Sequence, residues 1–372
     1  MTKLDAASGA AGQPCALGRR PGLDGLRAIA VMLVVGYHVW PAVFAGGELG
    51  VEAFFVLSGF LITWTLLDEY HLRHRIDLPA FYLRRAARLL PALGLLLVVY
   101  LFIAVVFFPA ASRGQMAWSA GVAATYGTSW ALALGHPVAA GLGHLWSLAV
   151  EEQFYLLWPL VLLVVVRRTS ARHVAGAAAV LAVASMCARE LLWRHGASFG
   201  RVYFGFDTRC SSLLLGCALG AVLANGGFSQ LVRRTTGLRA GALVAGAFLA
   251  WSVFRNVPRL AGASPQAAFG VAAIASGVIL LWVVAERGAG RAAWLDHRTF
   301  VYIGQRSYGI YLWHFALIDL VHARWPQSGA PGAVAAVVVA LIAADLSFRH
   351  VEQPALALRR RLAPRPAAVS ER

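Results

Sequence analysis

The chain has 372 residues, of which 59% are hydrophobic and only 13% charged, and its mean hydropathy is +0.66. A soluble domain of this length holds about 45–50% apolar and about 25% charged residues, so a water-soluble enzyme is excluded. The formal charge of +16 would suit a nucleic-acid binder, but that needs a contiguous basic patch or arm. Here the basic residues recur in short loops between apolar blocks, as topology-encoding arginines do, and no nucleic-acid partner is expected.

Residues 1–22 read as a disordered cytoplasmic tail, rich in Ala and Gly. No short apolar stretch with a small-residue cleavage site precedes the first long block, so no cleaved signal peptide is expected and the first span itself serves for targeting. Apolar blocks follow at 26–44, 49–67, 89–108, 116–134, 147–166, 173–192, 206–224, 237–254, 267–285, 302–322 and 331–348. A spanning helix needs roughly 20 such residues. If 116–134 does not cross and the N-terminus is cytoplasmic, the inner loops hold 22 of the 33 Lys and Arg and the outer loops seven. That asymmetry predicts ten spans with both termini cytoplasmic. The excluded block, MAWSAGVAATYGTSWALAL, is the least hydrophobic and suits a half-inserted segment packed on protein at the outer side. The fold class expected is an all-α polytopic transmembrane bundle over 23–354, followed by a basic cytoplasmic tail over 355–372. Cys187, Cys210 and Cys217 fall in apolar segments as small buried residues, and with Cys15 they show no metal-ligand spacing. No metal site is expected.

Ionisable groups inside spans are costly and usually face a bundle interior or a water-filled cavity. The first span, LDGLRAIAVMLVVGYHVWP, carries Arg27 and His38. Eleven residues separate them, about 16 Å of helix at nearly one azimuth, which predicts that both look into one groove. Taken singly, Arg27 also reads as a snorkelling anchor at the inner interface, and His38 as a hydrogen-bonded histidine near Pro41. In GGELGVEAFFVLSGFLIT the small residues, Ser58 among them, allow close helix approach, and Glu48 and Glu52 read as interfacial.

FYLRRAARLLP sets Arg84, Arg85 and Arg88 within one turn at the inner mouth of the third span. Arginine forks match phosphate oxygens, although a plain positive-inside signal explains them too. No Walker-type or GxGxxG loop competes for a nucleotide. GHLWSLAVEEQFYLLWP brings His144, Trp146 and Ser147 ahead of Glu151 and Glu152. Neighbouring residues project about 100° apart on a helix, so at least one glutamate must point into protein or water. A histidine and a carboxylate meeting inside a bundle make a base and its orienting partner. GFDTRCSSLLLG buries Asp207 and Arg209, which either pair with each other or line the cavity. SYGIYLWH places Tyr308, Tyr311 and His314 on one block, where an aromatic belt explains the tyrosines equally. Glu352, in FRHVEQP, reads as a salt-bridge partner of Arg349.

Together these segments resemble the acyltransferase-3 family of integral membrane O-acyltransferases. The residues that carry the resemblance are LDGLRAIAV with His38, GVEAFFVLSGFLIT, FYLRRAARLLP, HLWSLAVEEQFYLLWP, SYGIYLWH and VEQP, in order from about Leu23 to Pro354. The resemblance implies a multi-pass enzyme of the plasma (inner) membrane. Such an enzyme takes an acyl group, acetyl foremost, from cytoplasmic acyl-CoA and delivers it to a sugar hydroxyl in a cell-surface glycan, glycolipid or glycosylated secondary metabolite. Acyl-CoA would be the donor substrate, with no permanently bound cofactor. Arg27 and His38 match the family's essential pair, Arg84, Arg85 and Arg88 its basic motif near the CoA entry, and Glu151 or Glu152 its acidic position. The DTR segment departs from the family form TDTRA, having Phe206 and Cys210 at its edges. Some relatives carry an extra extracytoplasmic esterase-like domain, for which this chain is expected to be too short.

The mechanism expected from this pattern has His38 as general base on the acceptor hydroxyl, with an acyl-imidazole as its covalent variant. Arg27 would act on the donor side or on the oxyanion. The competing class is a transporter or flippase of a lipid-linked glycan with a buried His/Arg/Glu relay. Paired halves with interrupted spans would mark it, and none is visible.

Overall fold

The computed structural model of the protein describes residues 20–227, 235–255, 267–286 and 292–362. Most of the two expected tails lies outside these ranges. The first helix nevertheless begins inside the first one, at Pro21, a residue whose fixed φ suits a first turn.

Among the described residues all regular structure is helical. In chain order the helices are α1 (Pro21–Val39), α2 (Gly50–Arg73), α3 (Leu78–Phe107), α4 (Ala110–Ala124), α5 (Thr128–Ala133), α6 (Ala140–Gly143), α7 (Trp146–Arg168) and α8 (Val174–Arg194). They continue with α9 (Phe199–Phe204), α10 (Phe206–Arg209), α11 (Ser211–Val222), α12 (Thr235–Arg255), α13 (Ala267–Ala285), α14 (Arg298–Arg324), α15 (Gly329–Ser347) and α16 (Gln353–Leu362). The last covers part of the segment expected as a tail.

Among the described residues eight helices are long and apolar enough to cross a membrane: α1, α2, α3, α7, α8, α12, α13 and α15. The other two expected spans fall short for different reasons. α11 is short, only 12 residues before a π turn at Leu223–Gly227, whereas α14 has 27 residues but buries Arg306, Ser307 and His314. That is the profile of a helix held in the middle of a bundle and solvated by protein. The block 116–134 forms no single span. It breaks between α4 and α5, where Tyr126 takes a left-handed φ of 54°.

Packing follows the small residues. α1 and α15 lie along α14, and α2 lies along α11. A Cβ at Gly59 would land on the Leu213 carbonyl, and one at Gly216 on the Val56 carbonyl, so these two backbones touch. Outward, Val98, Phe102, Val105 and Phe107 of α3 and Val338, Val339 and Ile342 of α15 stay exposed, an apolar belt that suits lipid. Cys210 and Cys217 are buried as expected, but Cys187 is exposed on α8.

Three polar expectations change. Arg209 pairs with Glu52 at 2.5 Å rather than with Asp207, and both side chains are almost completely buried. Two residues apart on one helix, Asp207 and Arg209 point to opposite sides, and Asp207 takes Arg201 instead, at 2.6 and 2.8 Å. Neither Asp207 nor Arg209 lines the polar cavity described below. Glu52 is therefore no interfacial residue. It also accepts from Ser212 Oγ at 2.5 Å, while Glu48 accepts from Tyr203 at 2.7 Å. The Arg209 guanidinium stands 4.7–5.9 Å from the ring centres of Phe269, Trp146, Tyr203 and Phe55, and Trp146 thus serves this cage. Finally, Arg349 pairs with Asp345 at 2.9 Å, not with Glu352. A π turn over Phe348–Glu352 shifts the register, and Glu352 turns inward to accept from Ser347 at 3.4 Å.

Candidate active site

A cavity of about 320 Å³ opens between α1, α2, α3, α7 and α14. Arg27 enters it from α1, Ser58 from α2, and Arg84, Arg85 and Arg88 from the first turns of α3. Asp77 starts that helix by accepting from the Ala80 N–H at 3.0 Å, which fixes where the arginines point. From α7 come Ser147, Glu151, Glu152 and Tyr155, and from α14 Ser307, Tyr308 and Tyr311.

Both glutamates line the cavity, but with different partners. Glu151 accepts from the Ser58 and Tyr155 hydroxyls. Glu152 keeps one buried carboxylate oxygen without a partner, and the Ser307 hydroxyl is likewise unpartnered. Arg85 stacks over the Tyr155 ring at 3.8 Å from its centre, a cation–π contact. Arg84 reaches Glu69 at 3.6 Å. Among the described residues Arg27 and Arg88 form no ion pair, and they stand close enough to repel each other. Four guanidiniums and two carboxylates line the cavity, and the unpaired forks of Arg27 and Arg88 suit an anion.

At the far end Ser147 Oγ and Tyr311 Oη meet at 2.5 Å, and Tyr311 donates to the His144 carbonyl at 2.9 Å. Tyr308 is anchored by donation to the Leu89 carbonyl at 3.0 Å, so neither tyrosine acts as a belt residue. Beyond this hydroxyl pair lie three imidazoles. His38 is not among the cavity's lining residues. Its ring centre is 5.0 Å from that of His314, which is in turn 5.3 Å from that of His144. Arg27 and His38 thus share an azimuth on α1 but stand on opposite sides of the Ser147–Tyr311 contact.

The protons in this cluster follow from their partners. His314 Nδ1 faces only carbonyls, those of Ile310 at 3.1 Å and Tyr311 at 2.8 Å, and so carries the hydrogen. Its Nε2 is then a lone pair, 3.1 Å from His38 Nδ1. His38 Nδ1 also faces the Val34 carbonyl at 2.9 Å, so it is the protonated nitrogen of that ring. His38 Nε2 is left unprotonated, the form a general base needs. The His144 ring is buried with neither nitrogen partnered.

Residues 20–349 match the acyltransferase domain of the acyltransferase-3 family. The chain belongs to this family. Two relatives are similar to it over most of its length. The O-acetyltransferase OatA of Staphylococcus aureus (strain NCTC 8325 / PS 47) is 33% identical over 345 residues, which are 90% of this chain and 57% of the relative. The peptidoglycan O-acetyltransferase OatA of Listeria monocytogenes is 34% identical over 354 residues, covering 90% and 55%. The chain thus spans little more than half the length of these relatives. No solved structure matches it. Within this acyltransferase-3 domain the sequence alone misses Tyr155 and Ser307 as site residues. Tyr155 stood four positions after Glu151, hence on its face of the helix; Ser307 carried no signal beyond its place in SYGIYLWH.

Proposed function

We propose that this acyltransferase-3 domain moves an acyl group, acetyl foremost, from cytoplasmic acyl-CoA to a sugar hydroxyl of a cell-surface glycan. The carrying observation is the polarity of the site, with unpaired guanidiniums at one end and a tautomer-set imidazole beyond the other. CoA phosphates would dock on Arg27, Arg84 and Arg88, leaving the thioester to run toward Ser147 and Tyr311. Those hydroxyls stand where they can donate to a thioester carbonyl oxygen as charge develops on it. His38 Nε2 would take the acceptor proton as its oxygen attacks that carbonyl. The C–S bond then breaks, and the CoA thiolate recovers the proton from the imidazolium. For this transfer the Ser147–Tyr311 contact must part, so that thioester and imidazole share one space.

The arginine-rich inner loops support a cytoplasmic N-terminus and the donor side at the first turns of α3. The relatives' names make peptidoglycan the first acceptor to try. The test is purified protein in nanodiscs with radiolabelled acetyl-CoA, with and without peptidoglycan fragments. Acceptor-dependent CoA release with label in the glycan is expected. No release with acetyl-CoA or longer acyl-CoAs would overturn the enzyme reading in favour of transport.

A further inference from the structure

A second cavity, of about 450 Å³, opens at the end of the bundle away from the arginines, between α3, α4 and α14. Its size suits a small-molecule site. Trp313 and Asp319 line it from α14, Tyr100 from α3, and Phe108, Ser112 and Gln115 from the start of α4 and the turn before it. No arginine or lysine does. Two elements that build it also hold the imidazoles: Trp313 adjoins His314 on α14, and Ala139 leads into the segment that ends at His144.

The lining chemistry is specific. The Asp319 carboxylate faces the Gly141 backbone N–H, which uses one of roughly four lone-pair sites. The others can accept from neighbouring hydroxyls. Trp313 lines the cavity, while its indole N–H is enclosed in the protein without a partner. Gln115 donates its amide to the Pro137 carbonyl at 2.6 Å, which leaves its own carbonyl oxygen free to accept. Tyr100, Phe108 and Trp313 supply aromatic faces, whose negative quadrupole attracts C–H groups. Gly141 keeps the approach to the carboxylate open. A Cβ there would stand 3.2 Å from Asp319 Oδ2 and 3.5 Å from Tyr100 Cε2, filling the gap between them.

Carboxylate, amide, hydroxyl and aromatic faces without a cation fit a neutral polyol with apolar flanks. They do not fit a phosphate, and an acyl chain would leave the carboxylate buried and unmet. We propose that this cavity receives a sugar ring of the acceptor glycan and that Asp319 anchors it, an inference that rests on the acyltransferase reading. The sugar would then lie one helix wall from His38 and His144.

The test uses the whole chain in nanodiscs and tetra-N-acetylchitotetraose as probe. Saturation-transfer NMR should show saturable binding by the natural protein, with no acyl-CoA present. Asp319→Asn should weaken that binding about tenfold, the loss of a charge-assisted hydrogen bond. Ala111→Trp, an exposed position that fills the same cavity, should abolish it. Gel filtration and thermal unfolding check that both variants fold. No sugar binding by the natural protein, equal binding by both folded variants, or tetramethylammonium bound in place of the sugar would overturn the assignment. Absence of CoA release alongside saturable sugar binding would instead sink the acyltransferase reading and leave the cavity standing.

Discussion

Glu52→Gln isolates the most deeply buried charge pair. In the natural protein the Glu52 carboxylate meets Arg209 at 2.5 Å and Ser212 at 2.5 Å, with the two charged side chains 2% and 3% exposed. Removing one partner of a buried pair costs about 3–5 kcal/mol, because the remaining charge is left uncompensated. Glutamine still accepts a hydrogen bond and the aromatic cage still faces Arg209, so the loss should sit near the low end, about 3 kcal/mol. Glu52→Leu combined with Arg209→Met removes both charges and should recover most of that loss. SDS-driven unfolding in mixed micelles measures each variant. A Glu52→Gln protein within about 0.5 kcal/mol of the natural one would refute the reasoning. So would a double variant that loses the sum of the two single losses, since coupled pairs are not additive.

The remaining predictions concern the site. His38→Ala should fold, because the side chain is only part-buried, yet lose about 10²–10⁴-fold in acyl transfer, the usual worth of a general base. His314→Leu removes one of the two acceptors for His38 Nδ1–H and leaves the Val34 carbonyl; kcat should fall a few-fold, to about tenfold at most, with the KM for acyl-CoA unchanged. Nitrogen NMR of the imidazoles should then show a larger share of the Nε2–H tautomer of His38 than in the natural protein, which a purely structural role of His314 would not produce. Arg88→Lys loses a planar fork and should raise the KM for acetyl-CoA about tenfold while leaving acceptor saturation alone; an unchanged donor KM counts against Arg88 as a phosphate ligand.

Much of the architecture was legible because lipid imposes a simple rule on composition. Long apolar blocks became helices, and the polar character of 116–134 correctly kept it from spanning. Pairing was less legible. Adjacency in sequence suggested Asp207 with Arg209 and Arg349 with Glu352, but side-chain direction decides partners, and a π turn can rotate a residue away from its neighbour. Glu52 looked interfacial because it opens an apolar block. Only the packing of α2 on α11 brings Arg209 to it from 157 positions away. The common azimuth of Arg27 and His38 was likewise readable, whereas the hydroxyl contact that divides them is made by α7 and α14. No pattern within α1 could announce it.

That contact also has an electrical meaning. Where polar groups stand on both sides of a thin septum in a membrane protein, much of the transmembrane voltage falls across that septum. Moving one elementary charge through such a field takes about 2.3 kcal/mol per 100 mV. With the guanidiniums on one side of Ser147 and Tyr311 and the imidazoles on the other, the proposed reaction sends a neutral acyl group one way and returns one proton the other, from the His38 imidazolium to the CoA thiolate. The acyl group would cross without electrical work, whereas that proton carries one charge, so the proposed turnover should follow the membrane potential.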